Sequence, residues 1–400
     1  MAVAIICRDN VARFRRGRGW VVPVAPTERY LIGTSFGGRL SALEPDQFPY
    51  VMALDIRDDD LVKDVVRWCV VSKGVQRIVA LHEKCLMVAA ELRDELHLAG
   101  DDVATTLRFR DKVVMKDALR VAGFDAVPRY RAIAAGDVPA EPPWPGGRWV
   151  VKGRLGVGST EVRIVDGWLA VNDAVAELAR IMPELEVEEF VCGHMYHCDS
   201  VVVEGQIEFA AVARYFAQPG EYAPGGVAGS LLLPDCALRA RILRLNHDVL
   251  DILEMRSGVT HLEVFHTPDD LLVFCEVAAR PGGGGIDRIV ERAYAVDLVE
   301  CAVRIQCGVA PLLPNSNPRP AGHFGVLGVY HPLVGDARPL DDATLRGRGV
   351  LEYVHSRRVV PGAVVHCTDY AHRVIVEGES YSDLERRMRK IAAAVTGGTG

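Results

Sequence analysis

The stretch Gly258 to Gly285, GVTHLEVFHTPDDLLVFCEVAARPGGGG, limits the fold more than any other part of this chain. Two apolar runs flank Thr267-Pro268-Asp269-Asp270, a tetrapeptide suited to a tight turn, so the segment predicts an antiparallel hairpin. A turn over those four residues sets Glu263 opposite Phe274 and Glu276 opposite His261. Both glutamates then share one face as diagonal neighbours, roughly 7–8 Å apart at the backbone. Two carboxylates in otherwise apolar strands repel each other unless a cation lies between them or water screens them. Oxygen ligands so arranged suit a hard cation such as Mg²⁺, which completes its shell with water and phosphate oxygens. Four residues after Glu276, Arg280 runs into Pro281 and four glycines. The guanidinium can grip a phosphate or carboxylate at two points, and glycine amides can approach an anion closely. The competing reading is a solvated hairpin face with a surface loop, but such a face should be more polar throughout.

The chain around this hairpin is long enough, at 400 residues, for two to three lobes. Its 46 Lys plus Arg against 53 Asp plus Glu give a formal charge of −7, which argues against a broad nucleic-acid-binding face. The apolar run Ala2 to Cys7 stops at Arg8, Asp9 and Asn10, too short for a signal-peptide core or a membrane span. Ten scattered cysteines read as reduced thiols. The expectation is a cytoplasmic protein with no nucleic-acid or membrane partner.

Strand and helix patterns alternate through the first hundred residues. Val3 to Cys7 and Val75 to Leu81 read as buried strands, and Asp58 to Asp60 open a helix carrying Leu61, Val65, Val66 and Cys69. This alternation predicts a parallel α/β layer. Lys112 to Val121 reads as a helix, Arg148 to Lys152 as a strand, and strand-rich sequence follows from Glu186 with a hairpin turn at Glu204-Gly205. Pro311 to Pro320 is the best linker candidate, and a helix from about Ser382 to Val395 closes the chain. The expected units are 1–110, 111–190, 191–310 and 311–400.

Lys152 ends an apolar strand that runs into Gly153, Gly156, Gly158, Ser159 and Thr160, a plausible phosphate cradle without the Walker spacing. For Lys152 or Lys112 taken singly, a surface charge is the better reading. Glu188-Glu189-Phe190-Val191 fits either a strand edge that hydrogen-bonds an adenine or an ordinary strand start. Cys192, His194, His197 and Cys198 have the composition of a zinc site, yet strand alternation sends His194 and His197 to opposite faces. His197 and Asp199 share a face and are candidates for lining a cleft. The absence of GxGxxG after the first strand excludes a Rossmann dehydrogenase.

In their order, RDKVVMKDALRVAGFDAVPRY, VVKGRLGVGSTEV, VEEFVCGHMYHCDSVV, and HLEVF followed by CEVAARPGGG resemble the ATP-grasp superfamily over roughly residues 1 to 310. The match is closest to carboxylate–amine ligases of the L-amino acid (dipeptide) ligase type, and VIVEGESYSDLERRMRKI is similar to their C-terminal subdomain. The resemblance implies an N-terminal parallel α/β domain, two α+β lobes clamping ATP, and a small C-terminal α+β subdomain. It implies that Lys112, Lys152 and Ser159 face the ATP phosphates. Glu188 with the backbone of Glu189 and Val191 would meet adenine, Glu263 and Glu276 would hold Mg²⁺ or Mn²⁺, and Arg280 would contact the transferred phosphate.

The implied activity is ADP-forming ligation of a small-molecule carboxylate to an amine through an acyl-phosphate, with Arg280, Glu276 and Lys152 as catalytic residues. The amides of Gly282 to Gly285 are candidates for steadying the oxyanion, and the Gly156–Ser159 loop is a candidate lid. Two departures stand out. Ala279 replaces the usual Asn metal ligand, and Met195 occupies the place of an acid that meets the ribose. A phosphotransferase, a carboxylase-like enzyme and a non-catalytic ATP-binding protein are the alternatives. His261, His266 and the Tyr222–Gly229 loop are candidates for the acceptor pocket. The resembling ligases are commonly dimers, which makes a homodimer one expectation and leaves the oligomeric state open.

Overall fold

The opening run Val3 to Cys7 has no polar–apolar alternation, so both faces of its strand must be covered. The computed structural model shows this: in Ala2–Cys7, Val3, Ile5 and Cys7 enter one core, and Ala4 and Ile6 enter another on the opposite face. The structure describes all residues except 9, 18, 35–39, 41–42, 135, 137, 218–224, 315–317, 333–336, 346, 357–367, 369 and 397–400. Ala2–Cys7 lies in a four-stranded parallel sheet in the order Tyr50–Ala53, Arg29–Gly33, Ala2–Cys7, Val75–Ala80. The helix Asp59–Lys73 starts where Asp58 accepts the Leu61 N–H at 3.0 Å and stops at Gly74, whose φ of 68° a side chain would strain.

A second sheet of four antiparallel strands runs Tyr130–Ala134, Glu184–Glu189, Arg148–Gly153, Val162–Asp166. The helix Leu169–Leu178 covers it around the buried Trp149. The third sheet has eight strands in the order Leu272–Ala278, Gly258–His266, His194–Val203, Gln206–Tyr215, Val227–Leu232, His323–Tyr330, Tyr370–Gly378, Val350–His355. Three strands from beyond Pro320 thus extend the sheet that holds the carboxylate hairpin. One face packs Ala211, Ala213, Leu232 and Val326 with residues of the helices Ile286–Tyr294 and Leu298–Gln306. The other packs Cys198, Val212, Leu262 and Phe274 with residues of Ala237–Ile252. The closing helix Tyr381–Val395 is capped by Ser380 and buries Leu384, Met388 and Ile391 with Leu231, Leu327 and Val374.

The Glu204-Gly205 turn forms as expected, with φ of 51° and 81° at its two residues. The register of the carboxylate hairpin does not follow the expectation. The expected Thr267–Asp270 turn forms, with Asp270 N–H donating to Thr267 O at 3.0 Å, but Asp270 takes a φ of 59° and Thr267 N–H bonds Leu271 O at 2.9 Å, which adds one residue to the loop. Cys275 then bulges out of the ladder. Together these shifts place Glu263 directly opposite Glu276 rather than diagonal to it. Residues 315–317 of the expected linker and 222–224 of the expected acceptor loop lie outside the described residues. Among the described residues, no helix is long and apolar enough to cross a membrane, and every described cysteine is a free thiol.

His372, in the strand Tyr370–Gly378, stacks on His355 with ring centroids 5.1 Å apart, and its Nδ1 lies 3.1 Å from the Tyr353 hydroxyl. Burial, then His355 and His331, pull its imidazole down to about 4 from 6.5. A base depressed by folding contributes stability above its unfolded value and loses it as pH falls through the folded one. The urea midpoint is therefore expected to drop between pH 6.5 and 4. In His372→Phe that drop should be shallower, as read from urea titrations at stepped pH.

Candidate active site

Direct pairing brings Glu263 and Glu276 to one edge of a cleft of about 660 Å³, whose other walls come from the four-stranded antiparallel sheet and its glycine loop. Lys112 is the first residue of the helix Lys112–Val121, which Asp111 caps. Its buried ammonium sits 3.1 Å from Glu276 and donates to Gly156 O at 2.9 Å, joining the hairpin to the glycine loop. Lys152, at the end of Arg148–Gly153, lies 3.1 Å from Glu188 and 3.6 Å from Glu186. Burial alone would lower the Lys152 ammonium, but Glu188 beside it carries it well above its ordinary value. Ser159 lines the same cleft in a left-handed conformation with φ 55°, directly after Gly158 at φ 62°.

Sequence reasoning missed the groups beneath these lysines. Lys116, one helical turn after Lys112, is fully buried and lies 2.7 and 2.8 Å from the two oxygens of Glu186 while also bonding Glu188. Burial pushes the Glu188 carboxyl up, yet Lys116 and Lys152 hold it below its usual value. Two lysines and two glutamates form a balanced buried cluster. Glu186 and Glu188 alternate on one strand face while Lys112 and Lys116 repeat at helical spacing, and those two periods were the available signal. The Glu188 carboxylate is thus engaged with lysines. Glu189 pairs with Arg129 at 2.7 Å and spends its own N–H on Arg129 O, so it has only its carbonyl to offer a base. Val191 and Phe190 line the cleft, and the Arg148 guanidinium lies 4.9 Å from the Phe190 ring centre.

Arg280 lies just beyond the cleft lining, and the reason is a residue that sequence reasoning also missed. Glu83, at the start of the helix Glu83–Leu96, accepts from Arg280 Nε at 2.8 Å, pairs with its Nη2 at 2.6 Å, and accepts from Arg110 at 2.6 Å. Burial would raise the Glu83 carboxyl, but Arg280, Arg110 and Lys112 hold it down at about 2. The N-terminal sheet unit therefore fixes the aim of Arg280. Glu83→Gln removes that grip, and turnover is expected to fall by about 10²-fold, the order found when a reacting group is misplaced by an ångström. Nucleotide affinity should stay near that of the unaltered chain; calorimetry and steady-state rates separate the two effects.

The zinc set does not converge. Cys192 and His194 are exposed, and Cys198 points into the core beneath Ala237–Ile252, where burial lifts its thiol to about 12. His197 and Asp199 do share a face, and His261 joins them in a buried trio. His197 Nδ1 is 2.7 Å and His261 Nδ1 is 2.9 Å from the two Asp199 oxygens. His197 Nε2 is 3.0 Å from Ser230 Oγ. His266 lines the cleft, held 2.7 Å from Asp270.

A parallel α/β unit, an antiparallel four-stranded sheet and an eight-stranded sheet enclose this cleft in one chain. The same arrangement spans the crystal structure of an L-amino acid ligase from Bacillus licheniformis, which superposes with a TM-score of 0.75 at 19% identity over 98% of this chain and 96% of that one. The chain has the ATP-grasp fold. Two further ATP-grasp structures superpose over nearly the full chain. A biotin carboxylase from Campylobacter jejuni gives a TM-score of 0.70 at 14% identity, covering 98% of this chain and 90% of that one. A carboxyaminoimidazole ribonucleotide synthase from Aspergillus clavatus, complexed with ATP, gives 0.69 at 12% identity, covering 99% and 98%. In sequence, the chain is 26% identical over 280 residues to an L-arginine-specific L-amino acid ligase of Bacillus subtilis, covering 68% of each. No protein-family model matches the chain.

The ATP-grasp fold implies a divalent cation beside the nucleotide, and the residues present fit one. Glu263 and Glu276 are opposed carboxylates on the cleft wall, whereas Ala279 brings no side-chain oxygen. Burial raises the Glu263 carboxyl, but the His261 imidazole 3.6 Å away and the hydrogen bond from Tyr215 outweigh it and hold the carboxyl below its usual value. With two carboxylates supplied, water and phosphate oxygens would complete the shell of a hard cation.

Proposed function

We propose that this ATP-grasp chain is an ATP-dependent carboxylate–amine ligase that joins amino-acid-like small molecules and releases ADP and phosphate. The observation that carries the reading is the direct pairing of Glu263 with Glu276 in a cleft that also holds Lys112 and Lys152. Lys112 and Lys152 are cations at the floor of that cleft, where they would neutralise phosphate oxygens of ATP. The carbonyl of Glu189 and the amide of Val191 are the backbone groups suited to adenine, with Phe190 beside them. Mg²⁺ on Glu263 and Glu276 would supply charge neutralisation for phosphoryl transfer.

In the first step a substrate carboxylate oxygen attacks the γ-phosphorus of ATP. The bond to the bridging oxygen breaks, ADP leaves, and an acyl-phosphate remains. In the second step an amine attacks the acyl carbon, loses its proton, and inorganic phosphate departs to leave an amide. Arg280, held at two points by Glu83, would meet the charge that grows on the transferred phosphate and then on the acyl oxygen. The glycine loop Gly156–Ser159, tied down by Lys112, would keep water from an intermediate that hydrolyses readily.

The amino-acid character of the substrates rests on the relationship to the Bacillus subtilis ligase, and the particular pair is open. A screen of amino-acid pairs, reading phosphate release and product mass together, tests the reading. Phosphate release that needs a carboxylate and an amine at once, with a product heavier than either, is the expected result. Release that depends on bicarbonate would replace the ligase with a carboxylase-like enzyme.

A further inference from the structure

The trio of His197, Asp199 and His261 is not part of the cleft wall, yet it connects to it through a chain of hydrogen bonds with defined directions. The Tyr215 hydroxyl donates to Glu263 Oε1. Its oxygen lies 3.2 Å from His261 Nε2, so that imidazole nitrogen must be the donor to it. The opposite ring nitrogen, Nδ1, donates to Asp199 Oδ1 at 2.9 Å. The second Asp199 oxygen takes the His197 Nδ1 proton at 2.7 Å. Asp199 is 1% exposed, so these two imidazoles supply its compensation. Both imidazole Nδ1 atoms already face carboxylate oxygens at hydrogen-bond distance, and a cation in the trio would have to displace both protons. The trio is a support, not a metal site.

We propose that Asp199 is a positioning residue for the cation carboxylate: through His261 and Tyr215 it fixes one oxygen of Glu263 and leaves the other to bind a divalent ion. A second contact places Asp199 under the loop that follows Arg280. A methyl group built on Gly282 would come within 2.8 Å of Asp199 Oδ1 and 3.0 Å of His261 Nδ1, so the backbone there rests directly on the trio. One buried carboxylate thus backs both the Glu263 carboxylate and the glycine loop. Outer partners of this kind orient a metal ligand, and their loss commonly costs about 10–100-fold in metal affinity.

The inference rests on the reading of Glu263 as a cation ligand, and the test separates the two. Binding of a non-hydrolysable ATP analogue to the full chain is measured by calorimetry, with and without Mg²⁺. In Asp199→Asn the gain in affinity from Mg²⁺ should shrink by about 10–100-fold, while Mg²⁺-free binding by the folded protein changes little and the melting temperature falls, because one of the two imidazoles loses its acceptor. Tyr215→Phe should lose part of the Mg²⁺ gain in the same direction. Ser230→Ala, which removes only the hydroxyl 3.0 Å from His197 Nε2 and leaves the Asp199–His261–Tyr215 links in place, should keep the full gain. An unaltered chain with no Mg²⁺ gain at all would remove the cation reading itself. A normal Mg²⁺ gain in folded Asp199→Asn, or equal losses with and without Mg²⁺, would overturn the positioning role alone. Should Asp199→Asn fail to fold, Tyr215→Phe decides: an unchanged Mg²⁺ gain there overturns the proposal.

Discussion

Glu276→Gln is expected to abolish carboxylate-dependent ADP formation, lowering turnover on the order of 10³-fold, the upper range for losing one preorganised charge contact to a transition state. The change is nearly isosteric, so circular dichroism and the melting temperature should stay close to those of the parent. Two losses coincide at this position. The opposed carboxylate pair drops to one charge, and Lys112 loses the partner 3.1 Å away that anchors it beside Gly156. Raising Mg²⁺ should recover little, because the amide oxygen is a poorer ligand and Lys112 is left without its counter-charge. Near-normal turnover in a folded Glu276→Gln protein would remove Glu276 from the cation site.

The largest effect on stability is expected at a residue that does not line the cleft. Lys116→Met leaves Glu186 and Glu188 with only Lys152 to balance them, in a place where Lys116 and Glu186 are completely buried. Breaking a buried charge cluster from one side costs about 3–5 kcal/mol. Removing charge from both sides, in Lys116→Met with Glu186→Leu, should return more than half of that loss, since no uncompensated carboxylate remains. Urea unfolding of the single and double variants checks both statements. If the single variant were as stable as the parent, Lys116 would not be what neutralises the pair.

The two variants also separate what the cleft needs for chemistry from what holds it together. Glu276 lines the cleft, where it would meet the groups that arrive. Lys116 lies beneath it and, with Lys152, keeps two buried carboxylates from repelling each other. That division matches the positions of Lys112 and Lys116 on one helix, a turn apart, the first at the cleft and the second under it.

Much of this could be read from residue order. The continuous apolar strand Ala2–Cys7 required cover on both faces, Asp58 marked a helix start, and Glu204-Gly205 marked a hairpin, because periodicity and turn chemistry are local properties. The carboxylates at 263 and 276 were likewise visible as charges set in apolar strands and Arg280 by its place before a glycine loop, whereas the lysines at 112 and 152 read singly as surface charges and entered the site through the resemblance. Tertiary structure alone decided which of them meet. The left-handed Asp270 adds a residue to the loop and Cys275 bulges from its strand, and only both shifts together put Glu263 against Glu276. Glu83 reaches Arg280 across 197 positions, Lys116 reaches Glu186 across 70, and Asp199 meets His261 across 62. No local period encodes those distances. They follow from which strands pair and how helices and sheets pack, and buried charges then take whichever partners the fold brings within reach.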